Sequence, residues 1–226
     1  GSVVPLLIAL VVGVGAGSVL AGVLSGDRIE LGLLPLGAAG VSIGSILLWT
    51  VEGSLIHSGT TATGWTAGYV LACVYLVILG FSAGLFEVPL ASFLQHRSPP
   101  NQRGSILAAT NLLTFMGILL VSWLFWLLRI PVEKGEPLLS ARQIFLVCGI
   151  MTLPVFIYVV CLIPQATIRF LVWLATHTVY RIRVHGRENL PERGGALLIS
   201  NHPSWLDGVM LLLISSRPVG MVVYAG

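Results

Sequence analysis

Apolar residues run almost unbroken through five stretches of this chain, roughly 3–25, 32–51, 67–94, 105–128 and 144–163. About 20 residues of helix cross the hydrocarbon core of a bilayer, so each stretch predicts a transmembrane helix. Turn-forming and polar residues separate them: Asp27 and Arg28, then 53–64, then Ser98-Pro99-Pro100-Asn101, then 131–137. At Ile163-Pro164 the pattern changes. Residues 166–180 (ATIRFLVWLATHTVY) form a shorter apolar run with Arg169 and His177 inside it, which predicts a helix lying in the membrane interface. Residues 181–185 (RIRVH) alternate as a strand does, and 188–191 and 194–195 read as loop. A short buried strand is predicted at 196–200 (ALLIS), a helix at 206–215 and a further strand at 219–224. The expected fold is therefore mostly α. A polytopic helical membrane bundle over 1–164 is followed at 165–226 by the start of an α/β domain.

Composition sharpens this picture. The chain is 56% hydrophobic and 9% charged, against about 25% charged for a soluble domain. That excludes a single water-soluble core. The net charge is only +3, yet five of the twelve Lys and Arg fall between Arg169 and Arg193. A basic cluster just after the last long apolar run favours anionic lipid headgroups, and nucleic acid is not an expected partner. Arg28, then Arg97 and Arg103, then the basic tail lie on one side if all five segments span. The 52–66 loop opposite carries no Lys or Arg. The first loop and the tail are therefore placed in the cytoplasm. Arg129, Lys134 and Arg142 stand on the other side and weaken that asymmetry.

Small residues recur within the spans: Gly13, Gly15, Gly17 and Gly22, then Gly37, Gly40 and Gly44, then Gly80 and Gly84. Close helix packing explains them better than a ligand does. Cys73, Cys148 and Cys161 sit in apolar runs and are expected to be buried packing residues, with no disulfide framework or metal spacing. The chain opens GSVVPLL, with no Met and without the basic start of a signal peptide, and is expected to be a piece of a longer one.

Candidate chemistry lies in SNHPSWLD, residues 200–207. Imidazole titrates near neutrality, so His202 suits a general base. Such a base needs its tautomer held by a partner on the other ring nitrogen, and a carboxylate does this well. Asp207 is five positions on. With Ser204 capping a helix, Asp207 falls in its first turn, within reach of His202. Trp205 and Leu206 are placed against an acyl chain or the membrane. A bare His-x4-Asp is more often a surface histidine beside a capping segment, so the flanking sequence has to decide.

That sequence is Val184-x-Gly186-x-Glu188-Asn189-Leu190-Pro191, then Ala196 through Asp207. It resembles the first block of the phospholipid/glycerol acyltransferase family, which carries an Asn-His-x4-Asp motif. The resemblance covers about a quarter of the chain. It implies transfer of a fatty acyl group from a thioester of acyl carrier protein or coenzyme A to a lysophospholipid or glycerol phosphate, with no bound cofactor or metal. His202 becomes the base on the acceptor hydroxyl and Asp207 its orienter. Asn201, Ser204 and Trp205 are assigned to substrate binding. The later blocks of that family, a glycine-rich phosphate loop with Arg and a proline motif, are expected beyond Gly226, so these residues alone are not expected to catalyse.

The membrane part carries a second resemblance. Gly22-Val23-Leu24-Ser25-Gly26-Asp27-Arg28 is similar to the Gly-x3-Asp-Arg loop of the major facilitator superfamily, with Gly26 where the Asp stands and Asp27 one place late. Phe86-x-Val88-Pro89-Leu90-x5-His96-Arg97 and Pro100-x2-Arg103-Gly104-x3-Ala108 resemble the tenth-to-eleventh helix region of lysophospholipid transporters. Five spans then match helices eight to twelve of a major-facilitator-like bundle. Together the two parts resemble bacterial lysophospholipid flippase–acyltransferase fusions, whose larger members add an acyl-carrier-protein synthetase domain. This implies a multi-pass protein of the bacterial inner membrane with its C-terminal domain cytoplasmic. The expected partners are membrane lipid, lysophospholipid and acyl carrier protein.

Glu87 stands inside an apolar span, where a carboxylate is costly. It is a candidate for a lysolipid ammonium group or a proton, or else it pairs with Arg97. Glu52 and His57 read as solvated loop ends, His177 as a headgroup-level residue, and Arg97 and Arg103 as inner-face anchors, with contact to lipid phosphate the minor reading. Two readings from other classes stand beside the enzyme: a pure transporter whose tail only docks on the membrane, and a scaffold without turnover.

Overall fold

The computed structural model describes residues 3–26, 29–51, 66–133 and 136–179, and beyond them 185–186, 189–190, 194–199, 201 and 210–211. The chain divides into two compact units, Gly1–Leu162 and Ile163–Gly226. The first holds α1 (Val4–Ser25), α2 (Leu33–Thr50), α3 (Ala67–Arg97), α4 (Arg103–Leu128) and α5 (Ala141–Leu162). A short antiparallel ribbon, β1 (Pro131–Glu133) with β2 (Glu136–Pro137), lies between α4 and α5, where only a loop was expected. The second unit begins with α6 (Pro164–Val179). All five helices of the first unit are long and apolar enough to cross a membrane, which is compatible with a multi-pass membrane protein. Their bounds fall within a few residues of the predicted stretches.

Local chemistry explains the ends. Thr66 caps α3, its Oγ1 accepting from the Tyr69 amide at 3.3 Å. Ser140 and Gln143 form a reciprocal capping box at the start of α5. The Ser140 amide donates to Gln143 Oε1 at 2.8 Å, and the Gln143 amide donates to Ser140 Oγ at 3.3 Å. α3 stops at Ser98, before two prolines that cannot supply amides to continue it. A single residue, Ile163, separates α5 from α6, which opens on Pro164, a residue pre-set for the first helical position.

Packing in the first unit centres on α3, which meets α1 on one face and α2 on another, while α2 also meets α5. Glycine makes these contacts possible. A β-carbon on Gly17 would strike the Phe81 carbonyl oxygen, and one on Gly13 that of Val77. The opposing helix reciprocates. A β-carbon on Gly84 would lie 2.5 Å from the Val14 oxygen, and one on Gly80 would strike that of Leu10. Two Gly-x3-Gly pairs thus interlock α1 with α3, backbone on backbone. Across the other face, Gly37 lies against Phe86 and Ser82, Gly40 against Ser82 and Gly44 against Leu79. Gly149 sits against Ser42 and Ile46 and joins α5 to α2. Gly15 and Gly22 do not take part, because both face open space.

Polar links add direction. Ser42 Oγ and Thr152 Oγ1 are 2.7 Å apart across the α2–α5 contact. Arg142 donates from Nε and a terminal nitrogen to the Trp49 carbonyl, at 3.0 and 2.8 Å, and so caps the C-terminal end of α2 with a cation.

Outward faces remain apolar, as lipid contact requires. Val11, Val19 and Val23 on α1 are each at least two-thirds exposed, and α4 has no buried residue at all. The same geometry corrects the expectation for the cysteines. Cys73 is half-buried, while Cys148 and Cys161 are exposed on α5. In a bilayer an apolar surrounding in sequence does not imply a protein surrounding in space.

Gly17→Leu is expected to lower the thermal unfolding midpoint of the solubilised protein, since the added side chain meets backbone that cannot move aside. The cost should be about 1–3 kcal/mol or more. Gly15→Leu, which enters open space, should leave the midpoint unchanged. Equal effects from the two would contradict the interlocked α1–α3 contact.

Candidate functional site

Each candidate residue takes its place from the element that carries it. His202, Ser204, Trp205 and Asp207 lie outside the described residues. Asn201 is described. It is exposed and belongs to neither helix nor strand. The residues leading to it run through two glycine turns. Gly186 has φ +78° and accepts a hydrogen bond from the Asn189 amide at 3.0 Å. Gly194 has φ +85°. Both angles lie in the left-handed region where L side chains are strained, which is why glycine stands there. These turns agree with the loop reading at 189–190 and 194–195; residues 188 and 191 lie outside the described residues.

Residues 196–199 do not. They form no strand, and Leu197 is 81% and Ile199 89% exposed rather than buried. A short apolar strand needs neighbours on both sides to pair and cover it. Of the neighbours expected here, 181–184 and 219–224 lie outside the described residues. Met210 and Leu211 are helical, within the helix expected at 206–215. The expected α/β start is thus seen only in its turns and this fragment of helix.

α6 is better defined. Phe170 and Thr176 are buried, and Phe170 stacks on Trp173 with ring centroids 5.8 Å apart. Ile168, Leu171 and Leu174 are about half exposed. The helix therefore carries both covered and open apolar residues.

Glu87 lies within the described residues. It is exposed on α3, two residues before Pro89, which is buried and has no amide to return to the Leu85 carbonyl. The carboxylate therefore sits beside a missing rung of the helix ladder. Pairing with Arg97 does not occur. Ten residues of helix span about 15 Å, and the Arg97 guanidinium lies instead over the Phe93 ring, 6.0 Å from its centroid. Glu87 has no ion-pair partner among the described residues.

The residue reading missed two polar features of the spans, the Ser42–Thr152 contact and the Arg142 cap on α2. Their signal was a Ser and a Thr inside apolar runs, and an Arg one residue into a span.

Similarity to known proteins enters at the C-terminal unit. A family model described as Acyltransferase matches residues 181–226. The match supports an acyltransferase domain there, and Asn201 to Asp207 falls inside it. No curated protein and no solved structure matches the chain.

Glu87→Gln is expected to leave the unfolding midpoint of the solubilised protein unchanged, because no ion pair is lost with the charge. A fall of more than about 1 kcal/mol, beyond the worth of an exposed pair, would reveal a partner for this carboxylate.

Proposed function

We propose that this protein transfers a fatty acyl group to a lysophospholipid at the membrane surface and that its helical part moves the lysophospholipid to that surface. The observation that carries the enzymatic half is the acyltransferase match at 181–226, which contains the His202-x4-Asp207 spacing. The transport half rests on the five apolar helices in the same chain and on the resemblance of their loops to lysophospholipid transporters. A major-facilitator-like bundle and a cytoplasmic site at the bacterial inner membrane belong to this proposal.

In the proposed mechanism His202 accepts the proton of the glycerol hydroxyl as that oxygen attacks the thioester carbonyl. The new ester bond forms, the carbon–sulfur bond breaks, and the thiol of acyl carrier protein or coenzyme A leaves with a proton. Asp207 holds the imidazole in the tautomer that leaves one ring nitrogen free for this task and stabilises the imidazolium that results. Asn201, Ser204 and Trp205 bind the substrate. No nucleophile from the protein is needed, because the acceptor lipid brings its own hydroxyl.

α6 supports the coupling. It follows the last span after one residue and keeps Ile168, Leu171 and Leu174 open, a face suited to the headgroup boundary. A catalytic domain tethered in this way meets a delivered lysolipid at high local concentration instead of searching for it. In the transport half, Glu87, which has no ion-pair partner among the described residues, offers its carboxylate to the ammonium of a headgroup or to a proton.

In the intact protein, His202→Ala should reduce acylation of added lysophospholipid by about 10²–10⁴-fold while uptake of labelled lysolipid continues. Acylation that survives this change removes the catalytic assignment and leaves a transporter with a docking tail. Conversely, Glu87→Gln should slow uptake into proteoliposomes and leave acyl transfer to detergent-dispersed lysolipid intact. Unchanged uptake would remove Glu87 from the transport path.

A further inference from the structure

We infer that the connection between α3 and α4 is a docking point for anionic phospholipid headgroups. α3 ends in His96 and Arg97, α4 begins at Arg103, and residues 98–102 join them. The turn holds its shape by internal hydrogen bonds: the Ser98 amide and hydroxyl both donate to the Leu94 carbonyl, at 3.1 and 2.6 Å, and the Gln102 amide donates to that of Pro99 at 2.9 Å. His96, Arg97 and Arg103 are all exposed on it.

No counter-charge is near in sequence. There is no Asp or Glu between Glu87 and Glu133, and the first turn of α4 holds no acidic residue. Neither Arg97 nor Arg103 has a carboxylate partner among the described residues. What Arg97 does have is the Phe93 ring beneath it. That contact steadies the guanidinium against the helix and leaves its donors open.

The contrast with Arg142 is informative. Successive spans alternate in direction, so the start of α5 and the α3–α4 turn stand at opposite membrane surfaces. Arg142 is committed to the Trp49 carbonyl by two hydrogen bonds. The two arginines of the turn have no hydrogen-bond acceptor among the described residues. A guanidinium is built for paired hydrogen bonds to phosphate oxygens, and a turn joining two spans lies at headgroup depth. The group of matching charge at that depth is the phosphodiester of an anionic lipid. Each basic residue beside an anionic surface strengthens binding roughly fivefold. This inference is independent of acyl transfer.

The test is native mass spectrometry of the intact protein in detergent, titrated with phosphatidylglycerol or with phosphatidylcholine. Wild type should retain phosphatidylglycerol preferentially. The double variant Arg97→Gln/Arg103→Gln should lose that preference, with binding weaker by on the order of tenfold or more. Arg129→Gln, at the far end of α4, should keep it. If the double variant does not fold, Arg103→Gln alone gives the same reading with a smaller change. Equal retention of the two lipids by wild type, or an undiminished preference in the variants, overturns the inference. Displacement of phosphatidylglycerol by millimolar inorganic phosphate also overturns it, since the turn would then be reading a soluble anion.

Discussion

Backbone pressed against backbone along α3 is the contact on which the membrane unit depends. In lipid an apolar side chain gains little by exchanging acyl chains for another helix, so association rests on close fit and polar links. Gly13 and Gly17 bring α1 onto Gly80 and Gly84, and Gly37, Gly40 and Gly44 bring α2 onto Ser82, Phe86 and Leu79. Gly149 passes the contact on to α5, where the Ser42–Thr152 hydrogen bond and the Arg142 cap set its direction. Close approach at α3 is what carries the main path of contacts from α1 through α2 to α5.

The helix that holds the bundle together also carries its least comfortable residues. Ser82 is buried on α3 and turns its hydroxyl back to the Ile78 carbonyl at 2.8 Å, as a polar group in an apolar span must. Glu87 meets no cation among the described residues. Pro89 interrupts the ladder beside it. The cost of the carboxylate is borne by close packing elsewhere along the same helix.

How much of this could be read from residues alone varies with the kind of question. Span positions were legible because length and apolarity are properties of a continuous stretch, and the observed bounds agree closely with the predicted ones. Helix ends were legible where a side chain marks them, as at the two prolines after Ser98. The cysteines were misread because an apolar run says that a residue avoids water, not that it touches protein. Residues 196–199 form no strand: a short apolar run becomes one only when partner strands pair with it, and the partners expected here lie outside the described residues. The candidate acid–base pair rests on residue types at a spacing; the family match covers the same segment, and the placing of His202 and Asp207 lies outside the described residues.

The sequence by itself determined how many apolar helices form, where they stop and where the basic residues cluster. These follow from local composition and from the chemistry of caps and prolines. Only the tertiary structure decided which glycines are contacts and which face outward, and that Ser42 meets a residue 110 positions away. It also decided that Glu87 is left without the arginine that stands ten places on. Those outcomes depend on which faces of different helices meet, and a face is a property of the assembled bundle that no single stretch of residues contains.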